Sequence, residues 1–315
     1  MAQALQERWG IEVAEITYAP VGFGSHHWWV DDGRDRWFAT VDDLRMGERL
    51  VEHVGAAIET AARLYELGLG FVLAPIRDVD GRTTHVVGPD HLLSLYPYVE
   101  ERRAAGLGFA DGAMRAQVVG CLAELHSQSL LSPSVLPEHD LSLPCRTQLA
   151  AAMSNLGEPW TSGPFAERTR ALLAEHANAL ADALTYFDRH AAVWAAQTDR
   201  HVVTHGEPHR GNTMETPDGL RLIDWETARK AHPERDLWRL VQEDPKVVAQ
   251  YEAAVGRQIE PELLDLYSLW WDLCDVALYV ADFTAPHEAT EDNRVGWQGL
   301  VEHLDPSRWS KALGR

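Results

Sequence analysis

Between residues 11 and 100, short apolar-rich runs are separated by glycine- and aspartate-containing turn signals, the pattern of a β-rich lobe. Residues 13–18, 28–31 and 37–41 are the first such runs, and Asp32-Gly33 between the second and third is a strong hairpin signal. A glycine-containing stretch, Pro20-Val-Gly-Phe-Gly-Ser-His-His27, separates the first run from the second. Over residues 48–67 the period becomes helical, with Ile58, Ala61, Ala62 and Tyr65 on one apolar stripe. Asp80-Gly81 predicts another hairpin turn. Residues 91–96 read as an apolar strand stopped by Pro97, which cannot donate to a ladder. Beyond Glu100 the pattern is helical: residues 113–127 carry Met114, Val118, Cys121, Leu122 and Leu125 on one stripe, and residues 164–196 and 261–283 form further helices. A second β-like patch covers residues 201–224. The expected class is α+β, with a small β-rich lobe over residues 1–97 and a larger, mainly helical lobe over residues 98–315.

An apolar share of 45% supports a substantial core, and no apolar run approaches the length of a bilayer span. The N-terminus lacks the basic-then-apolar pattern of a secretory signal. Cys121, Cys145 and Cys274 are few and widely spaced, without a CxxC pair. These features predict a cytoplasmic protein with no membrane association, no disulfide framework and no structural zinc. A net charge of −20 argues against a nucleic-acid partner, which needs a basic face, and suits a cationic small-molecule ligand. Lysine is confined to Lys230, Lys246 and Lys311, so the first 229 residues contain none.

Candidate chemistry is concentrated in His205-Gly-Glu-Pro-His-Arg-Gly-Asn212 and, past the Asp218-Gly219 turn, in Ile223-Asp-Trp-Glu226. Phosphoryl transfer needs a carboxylate to position the acceptor hydroxyl, and oxygen ligands for Mg²⁺. A His-x-acid-x-x-x-x-Asn loop followed by a strand ending in Asp supplies both, with Glu207 near the hydroxyl and Asn212 and Asp224 on the metal. As a zinc set, His205-x-Glu207-x-His209 lacks an independent third-ligand motif.

The two segments resemble the catalytic loop and metal-binding strand of the aminoglycoside phosphotransferase and choline kinase-like families. Pro233-Glu-Arg-Asp-Leu237 is similar to the structural Asp-Leu that follows them. Weaker similarity runs through Gly22-Phe-Gly-Ser25, Leu95-Tyr-Pro-Tyr98 and Leu122-Ala-Glu-Leu-His126, so the markers span most of the chain. The resemblance implies a protein-kinase-like two-lobe fold, ATP or GTP with Mg²⁺, and a hydroxylated small-molecule acceptor. It implies nucleotide contacts from Gly22, Gly24, Ser25, Thr40, Glu59, Tyr96 and Tyr98, and loop support from His205, His209 and Asp236.

Asp265, Asp272, Asp275 and Asp282 recur on one helix face, either as a solvated acidic face or as a wall for an amine-rich acceptor, with Asp272 and Asp275 the acceptor candidates. Glu100 and Glu101 read as exposed charge.

Two positions depart from the family. Glu207 stands where it carries Asp, and Thr40 where it usually carries a phosphate-pairing lysine, with Glu59 as that lysine's expected partner. Arg36, Arg45 or Arg49 are the candidate replacements for the cation. An O-phosphotransferase is the leading reading; a catalytically weak nucleotide-binding pseudokinase and a metabolic kinase for an amino alcohol or sugar are the alternatives. Thr40→Lys is expected to change nucleotide affinity by more than about 1 kcal/mol, measured by calorimetry; unchanged affinity for both ATP and GTP would place Thr40 away from the phosphates.

Overall fold

The order of elements in the computed structural model is α1 (Ala2–Trp9), β1 (Glu15–Ala19), β2 (Ser25–Asp31), β3 (Arg36–Asp43), α2 (Val51–Glu66), β4 (Thr84–Val86), β5 (His91–Pro97) and α3 (Gly112–Gln128). There follow α4 (Arg146–Ser154), α5 (Ala166–Ala195), β6 (Val202–Thr204), β7 (Thr213–Thr216), β8 (Gly219–Leu222), β9 (Arg229–Ala231), α6 (Glu234–Glu243), α7 (Lys246–Val255), α8 (Pro261–Thr284), α9 (Glu291–His303) and α10 (Pro306–Trp309). The structure describes residues 1–21, 25–44, 50–100, 109, 111–128 and 136–314. Gly22, Gly24, Arg45, Arg49 and Glu101 lie outside them.

Two compact units divide the chain: residues 1–138 with 200–259, and residues 139–199 with 260–315. The first contains a five-stranded antiparallel sheet in the order β1-β2-β3-β5-β4. Its register separates two faces. Val30, Ala39, Val41, Leu93 and Leu95 point one way and, with Leu5 of α1 and Ile11, form a buried apolar cluster. Ser25, His27, Phe38, Thr40, Asp42, Ser94 and Tyr96 point the other way. α2 covers one end of that second face, where Val54 and Ile58 pack on Leu92.

The stripe predicted for α2 is buried at Ile58, Ala61 and Ala62, but Tyr65 is exposed and Leu64 is buried in its stead. β5 runs on through Pro97, opposite Trp37, one residue past the predicted stop. Asp80-Gly81 does turn the chain, with Asp78 N–H bonded to the Arg82 carbonyl, but no strand precedes it; β4 pairs with β5 instead. The Asp32-Gly33 and Asp218-Gly219 turns join β2 to β3 and β7 to β8 as the sequence indicates. β9, too short and too basic to signal a strand, pairs with β6.

In the second unit α4, α5, α8, α9 and α10 pack around Leu173, Leu180, Leu273, Val276 and Val280, all buried. No helix among the described residues is long and apolar enough to cross a membrane.

The two sheet faces make a stability prediction. Leu93→Ala opens a cavity in the apolar cluster and is expected to cost about 2–5 kcal/mol. Val86→Ala, on the edge strand and 53% exposed, should change stability by less than about 0.5 kcal/mol. Chemical denaturation of both variants checks this; equal effects would contradict the assignment of the core to that face.

Candidate active site

The loop from His205 to Asn212 leaves β6 and enters β7, and its course is fixed from beneath. Asp236, in the first turn of α6, accepts the His205 N–H on Oδ2 (2.8 Å) and the Gly206 N–H on Oδ1 (2.6 Å). His126 Nε2 donates to the same carboxylate at 3.0 Å, and His126 Nδ1 bonds the Tyr251 hydroxyl at 2.7 Å. Burial alone would raise the Asp236 carboxyl, but the His126 bond and nearby positive charge hold it below its ordinary value. A buried carboxylate is costly unless its oxygens are satisfied, and here three donors satisfy them.

Gly206 has φ +103°, and a Cβ there would sit 2.6 Å from the Arg235 guanidinium, so glycine is required twice over. Arg235 donates to Thr204 Oγ1 (2.9 Å) and to the Thr227 carbonyl (3.0 Å), while Thr227 Oγ1 donates to the His205 carbonyl (3.0 Å). The guanidinium therefore joins the start of the loop to the turn that follows Asp224.

His205 is wholly buried, and its ring spans the same two segments. Its Nδ1 accepts the Glu207 N–H at 3.2 Å and its Nε2 donates to the Ile223 carbonyl at 2.8 Å. Those partners define the neutral tautomer protonated on Nε2. Burial, opposed by the charge of Asp236, pulls the imidazole down to about 4, which agrees with that tautomer. His209 is also lowered to about 4, by burial and then by the charge of Arg239. Its Nε2 lies 3.8 Å from Glu207 Oε2, a contact with a neutral ring at neutral pH.

Asn212 and Asp224 are brought together by the β7–β8 hairpin. The Ile223 N–H donates to the Asn212 carbonyl at 3.0 Å, so Asp224 follows directly on the residue paired with Asn212. Asn212 Nδ2 donates to the Glu207 carbonyl at 3.1 Å, which directs the amide oxygen away from the loop backbone. Asp224 lies two residues beyond β8 rather than on it, exposed and left-handed at φ +70°, with Trp225–Thr227 continuing as a 3-10 turn. A carboxylate and an amide oxygen on neighbouring backbone suit Mg²⁺, which takes few protein ligands and completes its shell with phosphate and water.

The sheet contributes a row of polar groups on its second face. His27 Nδ1 meets Thr40 Oγ1 at 3.2 Å, and Ser25 Oγ donates to Asp42 at 2.7 Å. Tyr96 shares this face; burial raises its hydroxyl pKa, and Asp42, Glu226 and Asp224 add to the rise. The Asp224 turn therefore lies within electrostatic reach of this sheet face. Tyr98 follows in the connector with the Arg36 guanidinium 4.0 Å from its ring centroid.

Glu59 is not brought to Thr40. It lies on the β4 side of α2, where Arg77 donates to both its oxygens (2.9 and 3.1 Å) and Arg63 to one (2.8 Å). Burial would raise the Glu59 carboxyl, but these bonds hold it lowered. Arg77 is the cation that Glu59 required. It stands 18 residues away, in the irregular segment just before the Asp78–Arg82 turn, with no periodic signal to mark it. Arg235 was equally silent in the sequence.

In the second unit, Asp272 is 2% exposed and its Oδ1 accepts from His303 Nδ1 (2.7 Å) and from Arg308 Nε and Nη2 (3.1 and 2.9 Å). His303 Nε2 reaches Asp275 at 3.0 Å, and Lys311 pairs with Asp265 at 2.6 Å. The helix face read as either a solvated acidic face or an acceptor wall is thus largely charge-matched from α9 onward.

Known proteins place the chain. The phosphotransferase enzyme family model matches residues 15–270. Protein StrN of Streptomyces griseus is 30% identical over 289 residues, 88% of this chain and 85% of its own length. Among solved structures, spectinomycin phosphotransferase APH(9)-Ia in complex with ADP and spectinomycin superposes with a TM-score of 0.76 at 15% identity, covering 99% of this chain and 97% of that one. A microcompartment-associated aminopropanol kinase gives 0.64 at 16% identity over 99% and 97%, and choline kinase LicA from Streptococcus pneumoniae 0.53 at 15% over 96% of each. At such identities these structures speak for the protein-kinase-like fold: an antiparallel-sheet N-lobe followed by a mostly helical remainder. The extent of the family match, together with a relative of nearly the same span, makes this chain a member of the phosphotransferase enzyme family and a small-molecule kinase.

Proposed function

We propose that the protein transfers the terminal phosphoryl group of ATP or GTP to a hydroxyl of a small, polyhydroxylated, cationic acceptor of the aminoglycoside type. One observation carries the reading. Three hydrogen bonds, Asn212 Nδ2 to Glu207 O, Ile223 N–H to Asn212 O and His205 Nε2 to Ile223 O, bind the Glu207 loop and the Asp224 turn into one unit. A proton acceptor and two oxygen ligands on so short a frame are the parts phosphoryl transfer needs.

Glu207 orients the acceptor hydroxyl and takes its proton as the new O–P bond forms and the bond to the leaving diphosphate breaks. Asn212 and Asp224 would hold Mg²⁺, which when bound offsets charge on the phosphates. Ser25, Thr40 and Tyr96 line the nucleotide side on the sheet, and Tyr98 the connector. His205, His209 and Asp236 hold the loop, the two histidines as neutral groups that add no charge beside Glu207.

The acceptor class is supported by the spectinomycin-bound neighbour and by a net charge of −20, which favours a cation. The aminopropanol and choline kinase neighbours support an amino alcohol as the second candidate. Asp275, 23% exposed, is the acidic-face carboxylate proposed for an acceptor ammonium; buried Asp272 would act through it, by way of His303.

A nucleotide-consumption screen over aminoglycosides, amino alcohols and sugars tests the acceptor. Glu207→Gln should lower turnover on any acceptor found by about a hundredfold or more while nucleotide affinity stays nearly constant, because the carboxylate acts mainly in the transition state. Glu207→Asp should retain partial activity, its carboxylate drawn back by about 1.5 Å. Nucleotide binding with no transfer to any acceptor, and a Gln variant indistinguishable from wild type, would overturn the proposal.

A further inference from the structure

The second face of the five-stranded sheet is polar where a sheet covered by helix is ordinarily apolar. His27, Asp42 and Ser94 are buried on it, and Thr40 lies between them. Buried polar groups of this kind are costly unless they answer one another or a ligand. If phosphates approach this face, as the reading above requires, they meet Asp42 on the sheet and Asp224 and Glu226 on the turn, all three acting on Tyr96. The arrangement calls for a cation from the protein.

The described residues of the sheet and its connections offer few. No lysine precedes Lys230. Arg8 pairs with Asp80, Arg63 and Arg77 with Glu59, and Arg36 stacks on Tyr98. Arg34 and Arg82 belong to the turns that begin at Asp32 and Asp78. His27 remains. It lies directly across from Thr40 in the β2–β3 register, and its ring stacks on Phe38 with centroids 5.2 Å apart. No described residue bonds its Nε2.

We propose that His27 takes up a proton when the nucleotide phosphates bind, and as an imidazolium supplies a positive charge beside Thr40, in a lobe that contains no lysine. The inference rests on the nucleotide reading above. The proton comes from solvent and returns to it when the nucleotide leaves. In the cation both ring nitrogens carry hydrogen: Nδ1–H donates to Thr40 Oγ1, and Nε2–H is available to a phosphate oxygen. A threonine hydroxyl donates or accepts equally well, so Thr40 serves the neutral and the charged ring alike. A lysine ammonium at that position could donate to the neutral ring but could not accept from the charged one.

The surroundings set the resting state. Burial lowers the His27 pKa, Asp42 on β3 opposes this, and His26 on its own strand adds to it. β1 places Ala19 beside the ring, β5 places Ser94 beyond Thr40, and α2 presents Val54 and Ile58 to this face. The ring is therefore neutral near pH 7 without ligand. An anion within a few ångströms favours the charged form of a histidine and so opposes the effect of burial.

Calorimetric titration with the Mg²⁺ complex of a non-hydrolysable ATP analogue at pH 7.5, in buffers of different ionisation enthalpy, measures the proton directly. Wild type is expected to take up a large fraction of one proton per nucleotide, and its Kd to rise by up to about tenfold per pH unit above neutrality. His27→Gln is expected to bind more weakly, with uptake near zero and a flat pH dependence. The histidine NMR signals of the wild-type protein, with and without the analogue, report the ring without any variant. Binding with no proton uptake, uptake that survives in His27→Gln, or a His27 ring neutral in the complex would each overturn the inference. Absence of any nucleotide binding would instead overturn the functional reading beneath it.

Discussion

Two backbone amides, those of His205 and Gly206, turn inward to the buried carboxylate of Asp236, and the geometry of the candidate active site follows from that arrangement. With both amides bonded to Asp236, the chain takes a positive φ at Gly206 as it leads into Glu207. The carboxylate is itself held by His126, which Tyr251 orients, so the support reaches back into α3 and α7. Removing one partner from a buried, charged network of this kind leaves the rest unsatisfied, which is why it acts as a unit.

The sheet contributes in a different way. Its apolar face needs only volume and alternation, and those come from Val30, Ala39, Leu93 and Leu95. Its other face carries the departure from the family's usual chemistry. With Thr40 where a lysine is expected and Glu59 committed to Arg77, α2 is tied to the β4 side by a cation that a ligand does not need to displace. Glu59 is thus taken up on the β4 side and makes no contact with Thr40.

Much of this was legible in the sequence where the signal is local. The Asp-Gly turns at residues 32–33 and 218–219 joined the strands they indicate, because positive φ is easily reached there. The Asp218-Gly219 signal indicated a short hairpin between Asn212 and Asp224, and the Ile223 N–H does bond the Asn212 carbonyl. Periodicity failed at the end of an element: Tyr65 continues the α2 stripe but is exposed in the helix's last turn, while Leu64 is buried. Long-range partners left no trace. Arg77 on Glu59, Arg235 under Gly206 and Arg308 on Asp272 are contacts of 18, 29 and 36 residues' separation, set by packing alone. The acidic stripe of α8 left a solvated face and an acceptor wall both open for the same reason, since its basic partners are supplied from beyond Glu291.

Amide hydrogen exchange at His205 and Gly206 in Asp236→Asn tests most directly whether that carboxylate holds the loop. Asparagine keeps the shape but replaces one charged acceptor by a donor. The two amides are expected to exchange at least about tenfold faster than in wild type, while the amides of β3 and β5 keep their protection. Unchanged protection at His205 and Gly206 in a folded variant would contradict the account.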